Sequence, residues 1–305
     1  MALCRTKLTQ GLYRRGDRVT MVKQLINLFK LRIGIIMSIT ALVALIVTPG
    51  QPVQPWEALL LTMAVLLAAS SAGAFNQYYE RDLDATMPRT KNRPFVTGEL
   101  PYHPLWLLLI LLLLAVGVGM AGFVLNGMAA LYIFLGAFFY AVVYTVWLKR
   151  RTWLNIVIGG ASGSFAVLAG AAVVDPSLGP VPIILAIVLF LWTPSHFWSL
   201  AIAQKQAYAT AGVPMLPVLV GSQAAAKAVL ANTLLLVFIS ILPFFFGMGL
   251  IYLLGAAAGG GYFVYRNFQL VRDPSPKVAM ASFFASLIQL IVLLLFAVVD
   301  SQLAL

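Results

Sequence analysis

The chain has 305 residues, 62% of them hydrophobic and 10% charged. That balance excludes a disordered chain and argues against a soluble domain, because apolar runs of about 20 residues, the length a helix needs to cross a bilayer core, recur from end to end. The formal charge is +11 and Cys4 is the single cysteine, so an internal disulfide and a cysteine-based metal site are excluded, and the positive charge is assigned to basic loops rather than to nucleic acid.

Residues 1–31 form a basic tail that lacks the apolar core and small-residue cleavage site of a secretory signal. Its arginines, with Asp17 as the one acid, have the composition of a mitochondrial targeting segment. A cytoplasmic tail that fixes topology accounts for them more simply. A single transmembrane domain is expected over 32–305, with nine spans near 32–49, 56–78, 104–124, 127–147, 153–174, 181–202, 227–246, 248–265 and 279–299. The turns at Pro49-Gly50, Asn126-Gly127, Gly179-Pro180 and Phe246-Gly247 carry no Lys or Arg. All 20 Lys and Arg fall in the tail to Arg32 or in the connections after the even-numbered spans. The positive-inside rule then places the N-terminus and those connections in the cytoplasm and the C-terminus outside. Two of these connections, about 79–103 and 203–226, read as long loops four spans apart, the spacing of a duplicated half. The runs Gly159 to Gly163 and Gly259 to Gly261 read first as close helix packing and second as sites of ligand approach.

The stretch Asn76 to Pro94 carries three of the nine acidic residues. Asn76, Glu80 and Asp84 are spaced i, i+4, i+8, which puts them on one face of a continued helix, with Asp82 roughly opposite. Carboxylate and amide oxygens suit Mg²⁺, which takes one or two carboxylates together with a substrate's phosphates. Arg89, Lys91 and Arg93 follow, and Lys149, Arg150 and Arg151 close the next cytoplasmic turn. Arginine presents a planar fork to phosphate oxygens and lysine a mobile point charge. Asn155 opens the fifth span directly after that turn. His196, in the segment Trp192 to Trp198, is an ionisable side chain inside a span and so a functional candidate; a packed neutral imidazole bonded to a carbonyl is the alternative. Carboxylates and guanidiniums crowded where a helix leaves the membrane point to a metal-bridged phosphate ester with an apolar tail.

These segments resemble the UbiA superfamily of intramembrane prenyltransferases, whose first signature is Asn-x-x-x-Asp-x-x-x-Asp. The resemblance runs from Lys30 through the ninth span. It is most specific at Asn76 to Pro94, at Tyr144 to Thr152 with Asn155 and Gly159-Gly160, at Trp192 to Trp198 and at Tyr208 to Pro217. It implies a UbiA-type bundle and Mg²⁺-dependent transfer of farnesyl from farnesyl diphosphate to a vinyl group of heme B, giving heme O. Asn76, Glu80 and Asp84 would hold the metal, with Asp82 beside them in the catalytic group. Arg89, Arg93, Lys149, Arg150, Asn155, His196, Lys205 and Tyr208 would bind substrate. The implied setting is a prokaryotic inner membrane with the site facing the cytoplasm, and heme A synthase or terminal oxidase assembly downstream. Two positions depart from the pattern. Glu80 replaces the first Asp of the signature, and the loop 203–226 contains no Asp or Glu, where relatives usually carry acids. One carboxylate-bound Mg²⁺ is therefore expected, with Lys205 facing the diphosphate from the second loop. The alternatives are a prenyltransferase of another aromatic acceptor, a non-catalytic heme-binding membrane protein, and a transporter, which would place its polar residues nearer mid-membrane.

Overall fold

Lys30 sits at the one sharp bend near the start of the fold. Its left-handed backbone, φ 46° and ψ 42°, turns the short helix α1 (Val22–Leu28) by 53° into α2 (Leu31–Val47). The computed structural model describes residues 22–303, and all regular structure among them is helical. The expected tail therefore lies outside the described residues up to position 21.

The remaining elements are α3 (Pro55–Tyr79), α4 (Arg81–Thr86), α5 (Pro94–Thr97), α6 (Leu105–Met120), α7 (Gly127–Phe138), α8 (Asn155–Gly159), α9 (Ala161–Val174), α10 (Pro180–Ala203), α11 (Lys205–Thr210), α12 (Leu216–Ile241), α13 (Leu250–Arg272) and α14 (Pro276–Leu303). Two spans leave α-geometry before they end: α6 runs into a π-turn at Ala121–Leu125, and α7 into a ten-residue π-segment at Phe139–Leu148. Among the described residues seven helical segments are long and apolar enough to cross a membrane, and an eighth if α1 and α2 count as one bent span. Helix α13 coincides with the eighth expected span, but Arg266, Asn267 and Gln269 with three consecutive glycines make it less apolar. The two connections read as long loops are instead largely folded. The first contains α4 and α5. The second contains α11 and the start of α12, which Pro217 initiates and Gly221 kinks at φ +83°. Proline at a helix start and glycine at positive φ are local devices that a hydropathy window passes over.

Helix α2 packs on α3, α9 and α14; α3 also packs on α6 and α7, and α10 on α9, α12 and α14. In lipid the apolar effect between helices is weak, so small residues that let backbones approach take over. Gly170 of α9 lies against the Ala41 carbonyl of α2, and Gly117 of α6 against that of Ala64 in α3. Leu108, Leu111, Phe123 and Leu254 point outward, as a lipid-facing surface requires. Between α10, α12, α13 and α14, buried polar side chains are tied together: Ser282 donates to Asn267 Oδ1 at 2.5 Å, Asn267 donates to Thr233 at 2.9 Å, and Thr233 donates to Ser195 at 2.9 Å. Intramembrane hydrogen bonds of this kind fix helix register.

Candidate active site at the mouth of an apolar cavity

Helices α2, α3, α7, α9 and α10 enclose a cavity of about 560 Å³. Its composition changes along its length. One end is lined by Lys30, Asn76, Arg89, Asn92, Arg93 and Lys149, and the other by Met37, Val65, Ile133, Ala166 and Leu189. Tyr140, Tyr144, Trp192 and Phe197 stand between.

Local backbone geometry sets the polar end. Helix α3 stops at Tyr79 and Glu80 sits at its cap, φ −94° and ψ 15°. The hydrogen bonds from Glu80 N to the Asn76 carbonyl (3.0 Å) and from Asp84 N to the Glu80 carbonyl (2.8 Å) carry the helical period across that break. Asn76, Glu80 and Asp84 therefore share one side, exposed by 2%, 0% and 2%. Asp82 projects the other way, its side chain 67% exposed, and takes a two-pronged contact from Arg150 at 2.8 and 2.7 Å. Thus the carboxylates are individually paired: Glu80 with Lys149 and Asn76 (2.8 Å), Asp84 with Arg93 (2.5 Å), and Asp82 with Arg150. The π-segment positions Lys149, whose N–H bonds five residues back to the Tyr144 carbonyl. Such insertions are frequent at functional sites. Here Tyr140 and Tyr144 come to stack at 5.8 Å. A Cβ at Gly159 would lie 2.7 Å from the Tyr144 ring, so glycine keeps that ring in place.

Burial and charge act against each other on these groups. Burial raises the pKa of Asp84 and the Arg93 guanidinium partly offsets it. Burial lowers Lys149, with the Glu80 carboxylate opposing. On the exposed side the Arg150 fork holds Asp82 down to about 2. A depressed carboxylate stabilises the fold above its unfolded pKa, near 4, and loses that contribution as pH falls through about 2. Melting curves of the protein and of Asp82→Asn are thus expected to differ by less than about 1 kcal/mol near neutrality. That gap should close between about pH 4 and 2, and a gap that widens in acid would contradict the pairing.

The other candidates are distributed around this end. Asn155 is fully buried, its amide 3.3 Å from the Lys149 carbonyl and its Oδ1 unpartnered. Tyr208 of α11 packs on Leu83 and Met87, with the Arg89 guanidinium beside its hydroxyl. Lys205, at the start of α11, is partly exposed and is not among the cavity-lining residues. His196 also lies outside the lining. Its ring is sandwiched between Trp192 and Phe283, both at 4.2 Å, and its Nδ1 meets the Ser286 hydroxyl at 2.7 Å. Because those contacts cover both ring faces, His196→Ala is expected to cost about 3 kcal/mol of stability, as loss of a buried ring does. An unchanged melting temperature would show that the sandwich contributes nothing.

Sequence reasoning missed Lys30 as a site residue. Its ammonium donates to Asn76 Oδ1 at 2.6 Å and to the Tyr140 hydroxyl at 2.7 Å. Its one signal is a lysine at the very edge of an apolar run, next to the residues that begin the family resemblance. Tyr140, Tyr144, Asn92 and Trp192 were missed as well.

A divalent ion fits the donor set. Glu80 Oε1 is buried and unpartnered, and the Asp84 carboxylate and Asn76 amide oxygen lie on the same side. No group of three or more His, Cys, Asp or Glu side chains is gathered among the described residues. An ion here would therefore need a substrate's phosphates to complete its shell, as Mg²⁺ takes beside one or two carboxylates.

Residues 37–288 match the UbiA prenyltransferase family. The chain is 54% identical to protoheme IX farnesyltransferase 2 of Paramagnetospirillum magneticum over 93% of this chain and 98% of that protein. It is 38% identical to protoheme IX farnesyltransferase 1 of Cenarchaeum symbiosum over 86% and 90%. A digeranylgeranylglyceryl phosphate synthase shares the fold with a TM-score of 0.78 at 19% identity, over 92% of this chain and 98% of that one. A UbiA homologue from Archaeoglobus fulgidus bound to DMAPP and Mg²⁺ does so with a TM-score of 0.67 at 16% identity, over 88% and 99%.

Proposed function

The chain belongs to the UbiA prenyltransferase family, and from that premise we propose that it transfers farnesyl from farnesyl diphosphate to a vinyl group of heme B, giving heme O. The observation that carries this reading is the polarity gradient of the cavity: the cations Lys30, Arg89, Arg93 and Lys149 with Asn76 at one end, an apolar slot behind them. A prenyl diphosphate has the same gradient. The names of the relatives specify farnesyl and protoheme.

Bound Mg²⁺, held by Glu80, Asp84 and Asn76, would supply Lewis-acid stabilisation of the departing diphosphate. The chain's own groups do the rest. Arg89, Arg93, Lys149 and Lys30 neutralise the leaving group as the allylic C–O bond breaks. Lys205, outside the cavity lining, would have to swing in from the second connection to meet it. Tyr208 and Asn155 hold Arg89 and the Lys149 turn in place, and Asp82 orients Arg150 at the rim. The Tyr140 and Tyr144 rings, already beside Lys30 and Lys149 at 5.3 and 5.6 Å, offer their faces to the allylic cation. The apolar walls keep water from that cation. A vinyl carbon of heme B bonds to the farnesyl C1, and water adds to the neighbouring vinyl carbon with loss of a proton. The product carries a hydroxyethylfarnesyl group and diphosphate departs. His196 supports Trp192 from behind on the porphyrin side.

In the membrane this reading counts nine crossings, α13 included, within one domain from residue 32 onward. It places the basic connections and the site in the cytoplasm, the C-terminus outside, and the whole in an inner membrane. Heme A synthase or terminal oxidase assembly would take the product. The test is mass spectrometry of hemes extracted from cells expressing the chain. A gain of one farnesyl group plus one hydroxyl is expected. Unmodified heme B, with 4-hydroxybenzoate prenylated instead by the purified protein, would overturn it.

A further inference from the structure

At its apolar end the cavity lining stops at Val65 on α3 and at Tyr132 and Ile133 on α7. Helix α3 lines the cavity from Asn76 at the polar end to Val65 at the closed end. Eleven residues at 1.5 Å each make that distance about 16 Å. Ile133 of α7 and Leu189 of α10 reach the same end, and all three side chains are at most 5% exposed. Beyond them Leu61 and Ala64 of α3, both fully buried, continue a closed core. Covalent chains advance by about 1.2 Å per bond when extended, so a three-unit isoprenoid spans roughly 14 Å and a fourth unit adds about 5 Å. Three units fill the slot, and a fourth would run into Val65 and Ile133. On the walls above the floor α3 presents Ala68, Ala69 and Ala72, which leave room for the chain instead of occupying it.

We propose that Val65 and Ile133 are the residues that set prenyl chain length, closing the cavity after three isoprene units. The inference rests on the prenyltransferase reading. It deepens that reading by naming which side chains choose among prenyl diphosphates. A methylene at a pocket wall changes discrimination by about 10–200-fold. Truncation of either floor residue removes two or more carbons, so it should change chain-length preference by at least about tenfold.

The experiment mixes equimolar geranyl, farnesyl and geranylgeranyl diphosphates with heme B and full-length protein. Heme products are resolved by mass. The protein itself is expected to favour farnesyl. In Val65→Ala and Ile133→Ala the geranylgeranyl to farnesyl product ratio should rise at least tenfold, and more in the double variant. Ala69→Phe narrows the slot from its wall and should move preference toward geranyl. The ratio is read within one tube, so a variant that folds in low yield still reports. If truncation left the ratio unchanged while Ala69→Phe also had no effect, the floor assignment would be overturned. A shift in the Phe variant alone would overturn it too, by placing chain-length selection above the floor. If the unaltered protein prenylated heme with none of the three, the catalytic reading would fall instead.

Discussion

Glu80→Gln is expected to lower turnover by about 10²- to 10³-fold, the usual cost of removing one electrostatic partner of a transition state. Glu80 is fully buried, accepts from Asn76 Nδ2 at 2.8 Å and from Lys149, and holds its second oxygen free. The amide keeps the shape and removes the charge that a metal ion would meet. It also strips the Lys149 ammonium of its counter-ion, and breaking a buried pair costs about 3–5 kcal/mol. A double variant, Glu80→Gln with Lys149→Met, separates the two effects. It should recover most of the melting temperature, because no unpaired charge remains, and none of the turnover. Near-normal turnover in Glu80→Gln, or activity that survives exhaustive chelation, would remove Glu80 from the reaction.

Gly170→Val should cost roughly 3 kcal/mol or more, beyond the usual range for overpacking. A Cβ there would stand 1.9 Å from the Ala41 carbonyl oxygen, 2.7 Å from its carbon and 3.0 Å from its Cα. All three contacts are backbone, so no side chain can rotate away; α2 and α9 would have to separate. Helix α2 follows directly from the Lys30 bend, so activity should fall with stability. Gly127→Ala is the control, since a Cβ at Gly127 meets nothing within 4 Å. It should change stability by no more than about 0.5 kcal/mol. Thermal melting in detergent measures both. A Gly170→Val protein that melts like the parent would mean that α2 and α9 do not meet at this point.

Much of this was legible in the chain. Hydropathy alone located seven of the nine expected spans as helices long and apolar enough to cross a membrane, because a bilayer demands about 20 apolar residues wherever they occur in a fold. The family followed from four short segments in order. The side shared by Asn76, Glu80 and Asp84 followed from spacing, since helical period survives the break at Glu80. Where an expected loop proved helical, local stereochemistry had intervened: Pro217 and Gly221 shape a helical start inside it.

What only the tertiary structure decided is which groups face each other. Lys149 finds Glu80 across 69 residues of chain, and Arg150 finds Asp82 across 68. Neighbours at Lys149 and Arg150 thus serve opposite sides of the same turn. Lys30 reaches Asn76 and Tyr140 only because its backbone takes up a left-handed conformation at a 53° bend. His196 is drawn into an aromatic sandwich by Phe283 from a helix 87 positions later, while its neighbours Trp192 and Phe197 line the cavity. Apolar length and helical period are properties of consecutive residues and can be read along the chain. Ion pairing, stacking and the closed end of a cavity depend on how helices cross, and that is fixed by contacts such as Gly170 on Ala41, which no single segment contains.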